Sequence, residues 1–273
     1  MTVQTGVVGR VTTRRPVLRL RDGERSERPD TLAVEEPLQI RVGSVVLTTT
    51  MRTPGDDFDL VAGWLVAEGA VAAASDVVAM RLCPDEDNTV EVSLADHVVA
   101  PRPRAFATTS ACGVCGSDSV AEACSALRWP LGDDPVAVDP GTVALLPDRL
   151  RADQRAFDRT GGLHAAGLFT AGGDVVCVRE DVGRHNAVDK VVGAALRKDA
   201  LPLSGHVLQV SGRASFELVQ KAAMAGIPVL SAISAPSSLA VDLAIDTGIT
   251  LLGFVRGGGM NVYAGAHRVR RTS

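Results

Sequence analysis

Cys112 and Cys115 stand three residues apart in the run Thr108-Thr-Ser-Ala-Cys-Gly-Val-Cys-Gly116, with a glycine directly after each. Thiolate is the form of cysteine that attacks, accepts or passes on sulfur, and glycine lets the backbone present it to a partner. Cys115 precedes a predicted helix through Val120, Ala123, Cys124 and Leu127, with Ser119 and Glu122 as its capping box. The dipole at that helix start favours thiolate. Four chemistries use such a pair: packed thiols, half of a zinc site, a thioredoxin-like redox couple, or a sulfur relay. A glycine-rich loop is a poor place to bury thiols. Structural zinc needs four ligands, and beyond the pair only scattered Cys83, Cys124, Cys177 and single histidines remain. The redox reading wants the motif between strand and helix of a βαβ unit, which the flanking sequence does not supply.

A second set of residues suits anions. Arg179-Glu-Asp-Val-Gly-Arg-His-Asn186 joins a predicted strand to a helix, so Arg184 and His185 fall at a helix N-terminus that can meet negative charge. A solvated cap with Asp181 pairing Arg184 explains the same residues, and a local ion pair explains Asp189 and Lys190 one turn further in. Ser211-Gly-Arg-Ala-Ser215 and Ser234-Ala-Pro-Ser-Ser238 repeat the strand-to-helix arrangement, the first adding the guanidinium of Arg213. Phe254-Val-Arg-Gly-Gly-Gly-Met-Asn261 ends the last expected strand in glycines. It lacks the Lys-Ser/Thr of a P-loop, and a plain turn fits it equally. Thr160-Gly-Gly-Leu-His164 is unlike a zinc deaminase: Ala166 stands where the proton-shuttling Glu belongs, and the cysteine pair precedes the histidine. His164 reads as a hydrogen-bonded core or loop histidine. No metal site is expected.

The elements that must position these residues follow from periodicity. Residues 1–28 carry seven arginines without an apolar period and read as a flexible tail with one short strand at Val17 to Leu20. Residues 29–100 read as a small α+β domain: a hairpin about Gly43-Ser44, a helix through Phe58, Val61, Leu65 and Val66 ended by Gly69, and strands Val77–Leu82 and Thr89–Leu94. Residues 101–130 hold the cysteine loop and its helix. Residues 131–273 read as a larger α/β domain. A helix from about Pro147 to Phe157 and a hairpin Gly167–Thr170/Val175–Val178 open it, and the helix Asn186–Leu196 follows. Strands Val207–Val210, Pro228–Ser231 and Ile249–Val255 then alternate with helices Phe216–Ala225 and Leu239–Asp246. The fold class is thus α/β, α+β overall.

With 273 residues, 46% of them hydrophobic, the chain can bury a large core. Its net charge of -4 offers no general field for nucleic acid or an anionic membrane, so an anionic ligand needs a local site. Lys190, Lys198 and Lys221 are the only lysines among 28 basic residues, a bias toward the rigid forks that suit carboxylate and phosphate. An odd cysteine count, no signal peptide and no long apolar run point to the cytoplasm and reduced thiols.

Taken in order, these segments closely resemble the formate dehydrogenase accessory sulfurtransferase family, FdhD, from about Thr31 to Val269. The resemblance rests on Ser-Ala-Cys-Gly-Val-Cys-Gly, Thr160-Gly-Gly-Leu-His164, Glu180-Asp-Val-Gly-Arg-His-Asn-Ala-Val-Asp-Lys190, Ser211-Gly-Arg213, Ser234-Ala-Pro236 and Phe254-Val-Arg256. It implies a homodimer whose larger domain has the cytidine deaminase fold without zinc. It implies that Cys112 holds a persulfide, that Cys115 assists, and that a cysteine desulfurase supplies the sulfur. The acceptor it implies is molybdenum bis(molybdopterin guanine dinucleotide), bound at Phe254, Val255, Arg256, Gly257, Gly258 and Gly259, with formate dehydrogenase as the client. Arg213 and His185 are further candidate contacts. A cofactor chaperone in which the thiols are accessory is the competing class.

Overall fold

The computed structural model describes residues 2–3, 10–84, 86–103 and 127–271; Cys112, Cys115, Cys124 and most of the helix expected before Leu127 lie outside the described residues. After the two-residue strand β1 (Thr2–Val3) comes a long hairpin, β2 (Thr12–Arg21) and β3 (Glu24–Ala33). This replaces the flexible tail expected for residues 1–28. Asp22 and Gly23 both have positive φ, 54° and 82°, as the tight two-residue hairpin turn demands. Cross-strand pairs of opposite charge, Arg15 with Asp30 and Arg21 with Glu24, support the register. The hairpin shows no apolar period because most of both its faces are exposed.

The hairpin expected about Gly43 is present as β4 (Glu36–Val42) and β5 (Val45–Arg52), followed by helix α1 (Asp57–Ala67), β6 (Val77–Leu82) and β7 (Thr89–Leu94). They form a sheet of order β1-β6-β7-β4-β5. The expected helix from Pro147 to Phe157 is instead two helices, α2 (Pro140–Ala152) and α3 (Arg155–Thr160). The Asp139 side chain accepts from Thr142 N at 2.9 Å and Pro140 takes the first helical position. The helix start signal thus lies at Asp139-Pro140, and Pro147 falls in the helix interior.

The larger sheet has the order β13-β12-β11-β10-β8-β9. Its strands are β8 (His164–Thr170), β9 (Val175–Asp181), β10 (His206–Val210), β11 (Val229–Ala232), β12 (Thr250–Arg256) and β13 (Gly259–Ala264). An antiparallel hairpin is thus followed by three parallel strands, with helices α4 (Arg184–Leu196), α5 (Phe216–Met224) and α6 (Ser238–Thr247) in the connections. The described residues form a mixed α+β fold, as expected.

Both faces of this sheet are covered, which explains its continuous apolar runs. Val207, Val229 and Leu252 pack with Leu146 and Leu150 of α2. On the other face, Leu208, Leu230 and Leu251 belong to one core that continues through α4 and α1 to Leu38, Ile40 and Val90 of the first sheet. At the crossing of α1 and α4, a Cβ on Gly63 would overlap the Asp189 backbone, and one on Gly193 would overlap the Asp59 backbone. The two glycines let the helices touch main chain to main chain.

Candidate functional site

Strand β9 runs antiparallel to β8, and β8 antiparallel to β10, so the C-terminal ends of β9, β10, β11 and β12 share one edge with the start of β8. Loops at that edge are stitched side by side. Ser211 N donates to Ala165 O (3.0 Å) while its Oγ accepts from Ala165 N (2.9 Å). Ser237 N donates to Ala214 O (3.0 Å), and Phe254 N donates to Ser234 O (3.2 Å). His164, Arg184, His185, the Ser211 and Ser234 loops, Phe254 and Arg256 therefore lie along one continuous crest. The expected sites His185, Arg213, Phe254 and Arg256 are brought together; the position of Cys112 and Cys115 lies outside the described residues.

Phe254 adopts φ 53°, in the left-handed region that ordinary side chains avoid. Its neighbour Gly253 fixes the path, because a Cβ there would press on the Tyr263 ring, Pro236 and Ser234 O. Strain of this kind gathers at ligand sites. The ring is half-buried and the exposed Arg256 guanidinium stands 5.7 Å from its centroid, within cation–π range. Arg213 is exposed as well. Val255 has its side chain fully buried against α2, leaving it only backbone groups for a ligand.

The glycine run is a hairpin turn. Gly257 and Gly258 have φ 57° and 81°, Arg256 pairs with Gly259, and the chain returns as β13. Strand β13 is not among the elements expected from the sequence, although the three glycines between Phe-Val-Arg and Met-Asn-Val-Tyr carry a hairpin signal. Nothing lies within 4 Å of a Cβ placed on Gly257 or Gly258, so the tip is open to an approaching ligand.

At the other end of the crest, His185 Nε2 lies 3.0 Å from Glu217 Oε2 and 3.3 Å from Ser215 Oγ. Burial, with Lys221, Arg184 and His164 adding positive charge, pushes the His185 pKa down to about 3, so the imidazole is neutral and donates from Nε2 to Glu217. Burial also lowers His164, reinforced by Arg184 and opposed by Asp181. His164 Nδ1 sits 3.5 Å from Ser211 Oγ. Glu217 escaped the sequence reading because its role depends on α4 and α5 lying side by side.

Two expected ion pairs are replaced. Asp181 pairs with Lys190 at 2.7 Å rather than with Arg184. Asp189 pairs with Lys221 of α5 at 2.7 Å rather than with its sequence neighbour, since adjacent helical residues point about 100° apart. Burial raises Asp189 to about 6 against the pull of Lys221. Among the described residues, no three His, Cys, Asp or Glu side chains group as a metal-ligand set, and no helix is long and apolar enough to cross a membrane.

The FdhD/NarQ family model matches residues 33–270, nearly the whole chain. The chain belongs to this family. FdhD/NarQ relatives include the sulfur carrier protein FdhD of Streptomyces coelicolor, 60% identical over 273 residues and covering 96% of this chain and 97% of that one. The sulfur carrier protein FdhD of Sulfolobus acidocaldarius is 42% identical over 253 residues, with 93% and 96% covered. A crystal structure described as that of a formate dehydrogenase accessory protein from Desulfotalea psychrophila superposes with a TM-score of 0.78 at 25% identity, covering 96% of this chain and all of its own. The stitched crest thus belongs to an FdhD/NarQ chain and lies within the matched residues.

Proposed function

We propose that this chain is a sulfur carrier in the maturation of formate dehydrogenase, working as a cytoplasmic homodimer. Cys112 takes the outer sulfur of a cysteine desulfurase persulfide: its thiolate attacks that sulfur, the donor S–S bond breaks, and the donor leaves as thiolate. The resulting persulfide is passed toward molybdenum bis(molybdopterin guanine dinucleotide), the substrate. Cys115 assists. Its attack on the inner sulfur of the Cys112 persulfide would expel hydrosulfide and leave a Cys112–Cys115 disulfide, a balanced route for release.

The observation that carries the acceptor half is the stitched crest. It sets the guanidinium groups of Arg213 and Arg256, the strained Phe254 ring and the open tip of Gly257 and Gly258 on one sheet edge. Guanidinium forks match diphosphate oxygens, the uncovered face of a half-buried ring can stack a base, and an unobstructed glycine tip admits a nucleotide close to the backbone. Gly259 and Val255 would act through backbone alone, and neutral His185 through hydrogen bonding rather than charge.

The carrier step is tested by intact mass after incubation with a desulfurase and cysteine. Wild type and Cys115→Ala should gain about 32 Da per sulfur, and Cys112→Ala should not. Gain on Cys112→Ala but not on Cys115→Ala would exchange the two roles. Full client activation by Cys112→Ala would make the chain a cofactor chaperone instead.

A further inference from the structure

Asp181 and Lys190 form an ion pair whose side chains are 0% and 1% exposed. Asp181 Oδ1 accepts from Gly183 N (2.8 Å) and Asn186 Nδ2 (3.0 Å), and Oδ2 accepts from Thr53 N (3.1 Å) as well as from Lys190. Lys190 Nζ also donates to Thr53 O (2.9 Å) and Glu180 O (3.3 Å). Both charged groups are thereby fully hydrogen-bonded. Around them, Val182 N donates to Thr53 Oγ1 (3.2 Å), Asn186 Nδ2 to Met51 O (2.7 Å) and Thr50 Oγ1 to Asn186 Oδ1 (3.3 Å). The end of β5, in the first sheet, therefore grips the turn between β9 and α4, and that turn carries Arg184 and His185 to the crest.

Stability alone is a poor account of this clasp. Burying two charges carries a desolvation penalty, and apolar residues of similar volume are often as stabilising or more so. A complete set of directional bonds supplies position instead. The geometry points to Asp181, Lys190 and Thr53 as positioning residues for the crest: through them the first sheet sets where Arg184 and His185 meet the Ser211–Ser215 loop. His185 reports the fit, since its contacts to Ser215 and Glu217 cross from α4 to α5. The inference rests on the crest being the anion site proposed above.

The test uses the full chain with guanosine diphosphate as probe. Asp181→Leu combined with Lys190→Met replaces the pair by apolar side chains. This variant leaves Gly183 N, Thr53 N, Thr53 O and Glu180 O without their partners, so it should unfold cooperatively but at a lower temperature than wild type, lose the hydrogen-bonded His185 Nε2–H signal in imidazole 15N spectra, and bind the probe about tenfold or more weakly. Thr53→Val, which puts a methyl group in place of the hydroxyl that accepts from Val182 N, should move both readouts the same way by less, and Thr53→Ser should restore them. A folded double variant with an unchanged His185 signal, or with affinity within about twofold of wild type, overturns the inference. Should the double variant fail to fold, identical His185 spectra and affinities for Thr53→Val and Thr53→Ser overturn it. If wild type itself does not bind the probe, the anion-site reading is what fails, and the His185 signal alone decides the positioning.

Discussion

Phe254, Arg256 and Arg213 present a ring and two charges where the parallel strands end, and none of the three is consumed by the fold. Arg256→Ala and Arg213→Ala should each cost about 1.5–3 kcal/mol in guanosine diphosphate binding, the range for a hydrogen bond to a charged group. That is roughly 10- to 150-fold in calorimetry. Arg19→Ala, near the turn of the β2–β3 hairpin, should bind as wild type. His185 makes a separate prediction. Its folded pKa of about 3 lies below the ordinary imidazole value, so between those limits the native state binds fewer protons than the unfolded chain. Stability should then be lost as pH falls below about 6.5, at up to about 1.4 kcal/mol per pH unit. Glu217 at 3.0 Å pulls the other way, but it is partly solvated and burial with Lys221 and Arg184 prevails. Urea unfolding of wild type and His185→Gln from pH 7 to 4.5 should show the variant gaining relative stability toward acid; a constant gap would contradict it.

Helices α1 and α4 meet at Gly63 and Gly193 with no room for a methyl group. The obstruction is backbone, which cannot swing aside. Gly63→Ala should therefore lower the unfolding free energy by about 3 kcal/mol, read as a fall in the urea midpoint at unchanged slope. Elements of this kind were partly legible in the sequence. The hairpin at Gly43, helix α1 and the alternating strands of the larger unit follow apolar periods that burial imposes, and the crest loops follow from caps and glycines. Hairpin β2–β3 leaves no such trace because most of both its faces are exposed. Strand β13 was concealed behind a glycine run read as a terminus. The contacts of Asp181 with Thr53 and of His185 with Glu217 depend on which helices become neighbours, and no local spacing encodes that.

At the scale of the whole molecule, one core runs from the first sheet through α1 and α4 to the second, and Arg268 closes the far side. Its buried guanidinium donates to the carbonyls of Leu131, Gly132, Asp134 and Gly248 and to Thr250 Oγ1. Arg268→Ala leaves these acceptors without their donor and should destabilise the chain by about 3 kcal/mol or more in chemical denaturation. Arg268 lies 137 residues downstream of Leu131, the carbonyl it pins. A ribosome building the chain from its N-terminus makes the 131–134 loop and every strand of the larger sheet before that guanidinium, so the latch on the loop can close only after the whole sheet has been synthesised.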